Sequence, residues 1–235
     1  VNVFKSQNIT LSAPFPRITY KEAMDKYGSD APDLRIDMDL IDVSDLLKES
    51  NYKIFNMILS KGGIIKGMVL KGQAEKLSKN VLQNEFAMKT IQKMGGKGLT
   101  WMKIENGEFL SNIVQFFKKE ELEKVKDRMN AEDGDVLVFV ADINHHQVNE
   151  VLGRFRNFIA ERQDLIDKTT FKPCWVVDFP IFEEKDGELS SMHHPFTAPK
   201  EPIPENADKK TLLGLTANAY DIVINGEEIG GGRIR

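Results

Sequence analysis

The run from Tyr220 to Arg235 constrains this chain more than any other. Apolar residues alternate from Tyr220 to Ile224, as on a half-buried strand, and Asn225-Gly226 is the strongest short-range signal for a two-residue hairpin turn. The return strand then carries Gly230-Gly231-Gly232. Glycine weakens a strand because it has no side chain to pack and loses the most backbone entropy on folding. Three in a row therefore mark a backbone that something approaches closely. Asp221, Glu228 and Arg235 stand around them. On one face of a hairpin they offer two metal-binding carboxylates and a guanidinium fork for a substrate carboxylate. The same residues also make an ordinary surface hairpin with a flexible tip, and a single motif leaves both readings open.

The 235 residues suffice for one large domain or two small ones, with material for a core. A net charge of -4 carries no global signature of nucleic-acid binding, although the Lys and Arg residues are numerous enough to cluster locally. Cys174 is the single cysteine, so no internal disulfide forms, as suits a reducing compartment. No apolar run is long enough to cross a bilayer and no signal peptide opens the chain, so a soluble cytoplasmic protein is expected, with no membrane partner.

Residues 2–16 read as a strand or an extended lead-in. Thr19 and Glu22 have the spacing of a capping box, predicting a short helix that stops at Gly28. A turn-rich connector follows, with Asp33 and Arg35 expected to pin it. Residues 36–173 have the composition of a self-contained α+β unit. Strands are expected over 64–70, 99–104 and 136–140. Helices are expected over 73–94, 110–117, 120–129 and 145–163, the first placing Ala74, Leu77, Val81, Met88 and Ile91 on one stripe. This mixture predicts an antiparallel sheet with helices against one face. Lys76, Lys79, Lys89, Lys93 and Lys97 read as the solvated side of a helix rather than a phosphate-binding face. His145-His146 are adjacent on a helix and so do not face one metal ion. Residues 174–182 read as a central strand with Cys174 as a small buried hydrophobe, 183–188 as an acidic turn, and 200–214 as an exposed loop.

Three stretches in order resemble a known family: Tyr27-Gly28-Ser29-Asp30-Ala31-Pro32-Asp33-Leu34-Arg35, Met192-His193-His194-Pro195-Phe196-Thr197, and the run from Ala219 to Arg235. They are similar to motifs of class II aminoacyl-tRNA synthetases of the aspartate type, spaced as in the bacterial-type enzymes. The resemblance implies an α+β chain in which residues 1–35 and 174–235 are two segments of a class II antiparallel catalytic sheet. Residues 36–173 would then be the insertion domain, also found in a subunit of the tRNA-dependent amidotransferase and associated with the tRNA acceptor arm. It implies further class motifs before Val1 and after Arg235. The chain would then be an internal piece of a homodimeric enzyme, unable to form an adenylate alone. The implied activity is attack of aspartate on the α-phosphate of ATP, followed by transfer of the aspartyl group to tRNA.

In that family setting His193 and Arg235 would bind aspartate, with His194 in support. Asp221 and Glu228 would hold Mg²⁺ against the ATP phosphates. Gly230, Gly231 and Gly232 would let the adenylate lie along the backbone, and no residue is assigned to covalent catalysis. Three departures stand out: Ala31 where the family usually has lysine, Glu227 where it has an aromatic residue, and Arg233 where it has serine. The competing class is a stand-alone tRNA-acceptor-binding module of the amidotransferase type, without an active site of its own.

Overall fold

The computed structural model describes residues 2–6, 8–185 and 187–235. It divides into two compact units, one of Val1–Ala23, Asp30–Arg35 and Ile166–Arg235, the other of Met24–Ser29 and Ile36–Leu165.

The first unit is built on a four-stranded sheet. Arg17–Thr19 pairs in parallel with Pro173–Val177, which pairs antiparallel with Ala219–Ile224, which pairs antiparallel with Glu227–Arg233. The sheet is therefore mixed at one edge rather than antiparallel throughout. Pro173–Val177 lies inside it, as its apolar run requires. Its Cys174 and Val176 join Val223, Ala219, Phe179 and Ile181 in a buried cluster. Burial raises the Cys174 thiol to about 11, so it is inert at neutral pH. The Asn225-Gly226 turn has φ of 56 and 88°, the left-handed pair that a two-residue hairpin needs. Asn225 fastens the turn, accepting from the Lys172 amide at 2.9 Å and donating to the Thr170 carbonyl at 3.0 Å.

The second unit contains a wholly antiparallel five-stranded sheet. Its order is Ile41–Asp42, Ile64–Leu70, Val136–Asp142, Thr100–Glu105 and Glu108–Leu110. The two central strands are buried on both faces. On one face Ile65, Val69, Leu137, Phe139, Met102 and Ile104 pack with Leu47, Phe55, Leu122 and Val125 from three helices. The other face lies under the helix His145–Arg162, which contacts both central strands. Helices thus cover both faces, where one was expected. The long helix needs that depth: Val148, Val151, Leu152, Phe155 and Ile159 are all fully buried. Arg156 is buried with them, donating to the carbonyls of Met38 at 2.8 Å and Ile36 at 2.7 Å and lying over the Tyr27 ring.

The capping box forms as its spacing predicts. The Glu22 amide donates to Thr19 Oγ1 at 3.1 Å, and the Thr19 amide donates to Glu22 Oε2 at 2.9 Å. The helix Tyr20–Tyr27 ends at Gly28, whose φ is 67°.

Other local expectations are corrected. The lead-in contains a helical turn, Asn2–Lys5. The helix expected over 73–94 begins later and is wound as a π-helix over Val81–Thr90, closed by a hydrogen bond that the Ile91 amide donates to the Phe86 carbonyl. Five-residue spacing moves the apolar stripe: Leu82, Phe86, Ala87 and Ile91 are buried, whereas Met88 is 54% exposed. Residues 110–117 form a strand end and a 3₁₀ turn, Val114–Phe116, rather than a helix. The acidic turn is a hairpin of Phe182–Lys185 with Glu188–Ser191. The loop over 200–214 contains the short helix Lys209–Leu213, whose cap Asp208 accepts from the Thr211 amide at 2.8 Å.

Candidate functional site

The C-terminal ribbon contains one irregularity, and it decides where the carboxylates point. Asp221 lies opposite Gly231 and Ile222 opposite Gly230, but Val223 lies opposite Glu228, so Ile229 is an extra residue on the return strand. Side chains alternate along a strand, so one inserted residue reverses the facing of everything beyond it. Without this bulge Glu228 and Gly231 would face opposite ways. With it, Glu228 shares a face with Asp221.

A Cβ at Gly231 would lie 2.1 Å from Asp221 Oδ1 and 3.2 Å from Glu228 Oε1. The two carboxylates therefore converge over the one residue that has no side chain to keep them apart. Asp221 shares its face with Ala219 and Val223, on the core side of the sheet. Burial, then the charges of Glu228 and Asp30, raise its pKa to about 6.

These groups line a cavity of about 580 Å³ with Asp30, Phe179, Met192, His193, Arg233 and Arg235. The His193 ring stands edge-on to Phe179, with centroids 5.4 Å apart. Its Nε2 is buried without a hydrogen-bond partner. Burial and the nearby Arg233 hold its pKa below the ordinary histidine value, so the ring is neutral at pH 7. Its loop is fastened by Ser191 Oγ, which donates to the His193 carbonyl at 2.7 Å. His194 does not support the His193 ring. Its Nδ1 accepts from the Phe196 amide at 3.2 Å and its carbonyl accepts from Thr197 Oγ1 at 2.8 Å, which stabilises the turn itself.

Of the residues singled out from sequence, Asp221, Glu228, Gly231, Gly232, Arg235 and His193 line this one cavity. Gly230 does not. The glycines also differ in what fills the space beside them. Asp221 and Glu228 occupy it at Gly231, and the Tyr220 ring occupies it at Gly232, where a Cβ would lie 2.5 Å from the hydroxyl. At Gly230 the nearest atom is 3.9 Å away. The expected close approach thus comes at two positions from the ribbon's own side chains. Asp33 and Arg35 form a part-buried ion pair at 2.6 Å that holds the connector, and the Gly226 turn packs against Asp33. Asp30 and Met192 lie in the stretches that carry the resemblance but were given no site role, and Phe179 was read only as part of a buried strand; all three line the cavity.

Among the described residues no group of three or more His, Cys, Asp or Glu is arranged to hold a metal ion. Asp221 and Glu228 are two hard oxygen donors, which suits an ion that keeps most of its water, such as Mg²⁺. No helix among the described residues is long and apolar enough to cross a membrane.

A family model described as tRNA synthetases class II (D, K and N) matches residues 1–235. The chain is 50% identical over its whole length to an aspartate–tRNA(Asp/Asn) ligase 1 of Syntrophus aciditrophicus, covering 33% of that protein. It is 42% identical over 98% of its length to an aspartate–tRNA(Asp/Asn) ligase of Persephonella marina, covering 39% of it. It is also 42% identical over 99% of its length to an aspartate–tRNA ligase of Listeria monocytogenes, again covering 39%. The chain therefore spans a third to two fifths of the length of these curated relatives. Matched from end to end, it belongs to the class II tRNA synthetases of the D, K and N group.

Proposed function

We propose that the cavity between the C-terminal ribbon, the Asp30 loop and the His193 loop is the amino-acid activation pocket of an aspartate–tRNA ligase. Residues 1–35 and 174–235 would be catalytic-domain segments and residues 36–173 an inserted domain. The observation that carries the reading is the convergence of Asp221 and Glu228 over Gly231, in the cavity that Arg235 also lines.

Asp221 and Glu228 hold Mg²⁺, which supplies charge neutralisation at the ATP phosphates. Asp221 is held near 6 by burial and the facing acids, so a cation there relieves repulsion already present. Arg235 clamps the side-chain carboxylate of aspartate as a bidentate fork and discriminates against the uncharged amide of asparagine. Neutral His193, with its Nε2 unpartnered, contacts the amino acid without adding charge. The backbone at Gly231 and Gly232, which line the cavity, lies alongside the adenylate, whereas Gly230 lies outside the lining and does not take that role. Positioning and charge neutralisation, rather than covalent chemistry, are the protein's contribution to this step. ATP, aspartate and tRNA are the proposed partners, in a homodimeric whole enzyme; the chain by itself is expected to form no adenylate.

The test is ATP–pyrophosphate exchange by the complete gene product with aspartate or asparagine, followed by transfer to tRNA(Asp) and tRNA(Asn). Exchange driven by aspartate alone supports the reading. Exchange equally supported by asparagine contradicts the role of Arg235.

A further inference from the structure

We propose that the second unit carries a ligand site of its own, a cleft between the helix Lys53–Ser60 and the end of the strand Val136–Asp142. It takes a small molecule with an apolar, ring-sized body and a single anionic head. Every residue lining it falls within Ile36–Leu165, and none of them lines the cavity at the C-terminal ribbon.

Two features of the sequence leave the cleft open. In the helix Lys53–Ser60, Phe55 and Leu59 are four residues apart and pack into the core. Ile54, Met57, Ile58 and Lys61 follow one another at spacings of three and four and line the cleft. The helix therefore has two apolar faces, and folding uses one. Across from it, Val136–Asp142 pairs along its whole length with Ile64–Leu70. The strand Thr100–Glu105 on its other side reaches only as far as Phe139, which Thr100 faces. Beyond that register Ala141 and Ile143 have no strand beside them on this edge, and they line the cleft.

The surface there is concave rather than flat. Its volume is about 460 Å³, within the range of about 300–1,000 Å³ usual for small-molecule sites. Phe139 and Phe55, 1% and 2% exposed, form its floor, while Ile54, Met57 and Ile143 are each more than half exposed at its rim. The other large apolar residues exposed in the described part of this unit are Met88, Phe116 and Leu165, so half of them gather at one mouth. Single exposed apolar residues are ordinary, but a grouping marks an interaction site. Charge then selects the head group. Asp142 is already neutralised, pairing with Lys97 at 2.8 Å and accepting from the Asn144 amide at 3.0 Å. The Lys61 ammonium, one turn beyond Ile58, has no ion-pair partner among the described residues. One unmatched cation beside an apolar cleft is complementary to an anion with a hydrocarbon body and opposes a cation.

The test uses two fluorescent probes that differ in the head alone, anilinonaphthalene sulfonate and the neutral phenylnaphthylamine, titrated against the folded complete gene product. Both should bind saturably, one per chain, with a Kd of about 10–100 µM. The sulfonate should bind about threefold to fivefold more tightly, the ceiling for an ion pair with an exposed cation. Lys61→Ala should erase that difference. Met57→Glu places a carboxylate on the apolar rim and should weaken both probes by at least about tenfold. Met88→Glu, at an equally exposed methionine outside the cleft, should leave both unchanged. Wild-type affinity in Met57→Glu overturns the site, as does fluorescence that ATP and aspartate displace, which would put the probe in the ribbon cavity. A preference for the sulfonate that survives Lys61→Ala overturns the anionic head. A complete protein that binds neither probe, or a Met57→Glu variant of lower mass than wild type in light scattering, means that protein surface fills the cleft and also overturns the proposal.

Discussion

Replacing Gly231 with alanine separates the site from the fold. The new methyl carbon would lie 2.1 Å from Asp221 Oδ1, 3.1 Å from Asp221 Cγ and 3.2 Å from Glu228 Oε1. Ordinary contact lies at about 3.5 Å, so the Asp221 carboxylate must retreat by more than about 1 Å. It retreats into the cavity by rotating off its rotamer, at a cost of about 1 kcal/mol. Gly231 has no positive φ, so its backbone accepts alanine. Thermal unfolding should therefore change little. The site should change a great deal, because a 1 Å displacement of a positioned group costs on the order of a hundredfold in rate. Carbon-13 NMR titration of Asp221 reads the effect without any turnover. Its midpoint, raised to about 6 by burial and by Glu228, should fall toward the ordinary aspartate value as the pair separates and hydrates. Gly230→Ala is the matched control, since its nearest neighbour is 3.9 Å away, and it should leave the titration unchanged. An Asp221 that still titrates near 6 in Gly231→Ala refutes the convergence.

Two further outcomes follow from the same geometry. Gly153→Ala in the long helix places a Cβ 2.3 Å from the Gly28 carbonyl oxygen and 2.8 Å from that of Tyr27, both backbone atoms that cannot rotate aside. Overpacking should outweigh the gain in helix propensity and cost about 2 kcal/mol in urea unfolding, and a variant as stable as wild type would contradict that packing. Asp221→Asn tests the raised pKa: with a folded value of about 6 against 3.8, the folded state binds the proton more tightly, so wild-type stability falls as pH rises from about 4 to 6. The ceiling is roughly 3 kcal/mol, which solvent screening of a half-buried carboxylate lowers to about 1 kcal/mol. The variant should match wild type below pH 4 and exceed it by that amount above pH 6, and a difference independent of pH would contradict the assignment.

Local chemistry was legible in the sequence wherever one residue type answers one geometric demand. Asn225-Gly226 takes the two positive φ angles of the turn, Thr19 and Glu22 close the capping box, and Gly28 ends its helix. The convergence of Asp221 and Glu228 was readable only as a possibility. Period-2 alternation assigns Glu228 to the opposite face from Gly231, and only the extra residue at Ile229 brings it round. Nothing in the residue types announces that bulge. The π-wound stretch Val81–Thr90 misled for a related reason. Positions chosen at 3.6-residue spacing drift off the buried stripe when the hydrogen bonds span five residues, which leaves Met88 in solvent. Residues 110–117 show the ambiguity of a short apolar run, where periodicity cannot separate a strand end and a tight turn from a helix. The buried lysines had no sequence signal either. Lys66 and Lys103 sit in strands at 6% and 7% exposure because each ammonium reaches backbone and acidic oxygens: Lys66 those of Asp25, and Lys103 those of Ala74 and Glu105.

Glu228 owes its place beside Asp221 to the bulge. The deciding measurement is aspartate-dependent pyrophosphate exchange by the complete gene product with Glu228→Gln, followed across a Mg²⁺ titration. The variant should bind aspartate as wild type does but exchange at least about a hundredfold more slowly, with part of the loss recovered at high Mg²⁺. Wild-type exchange and an unchanged Mg²⁺ requirement in Glu228→Gln would contradict it.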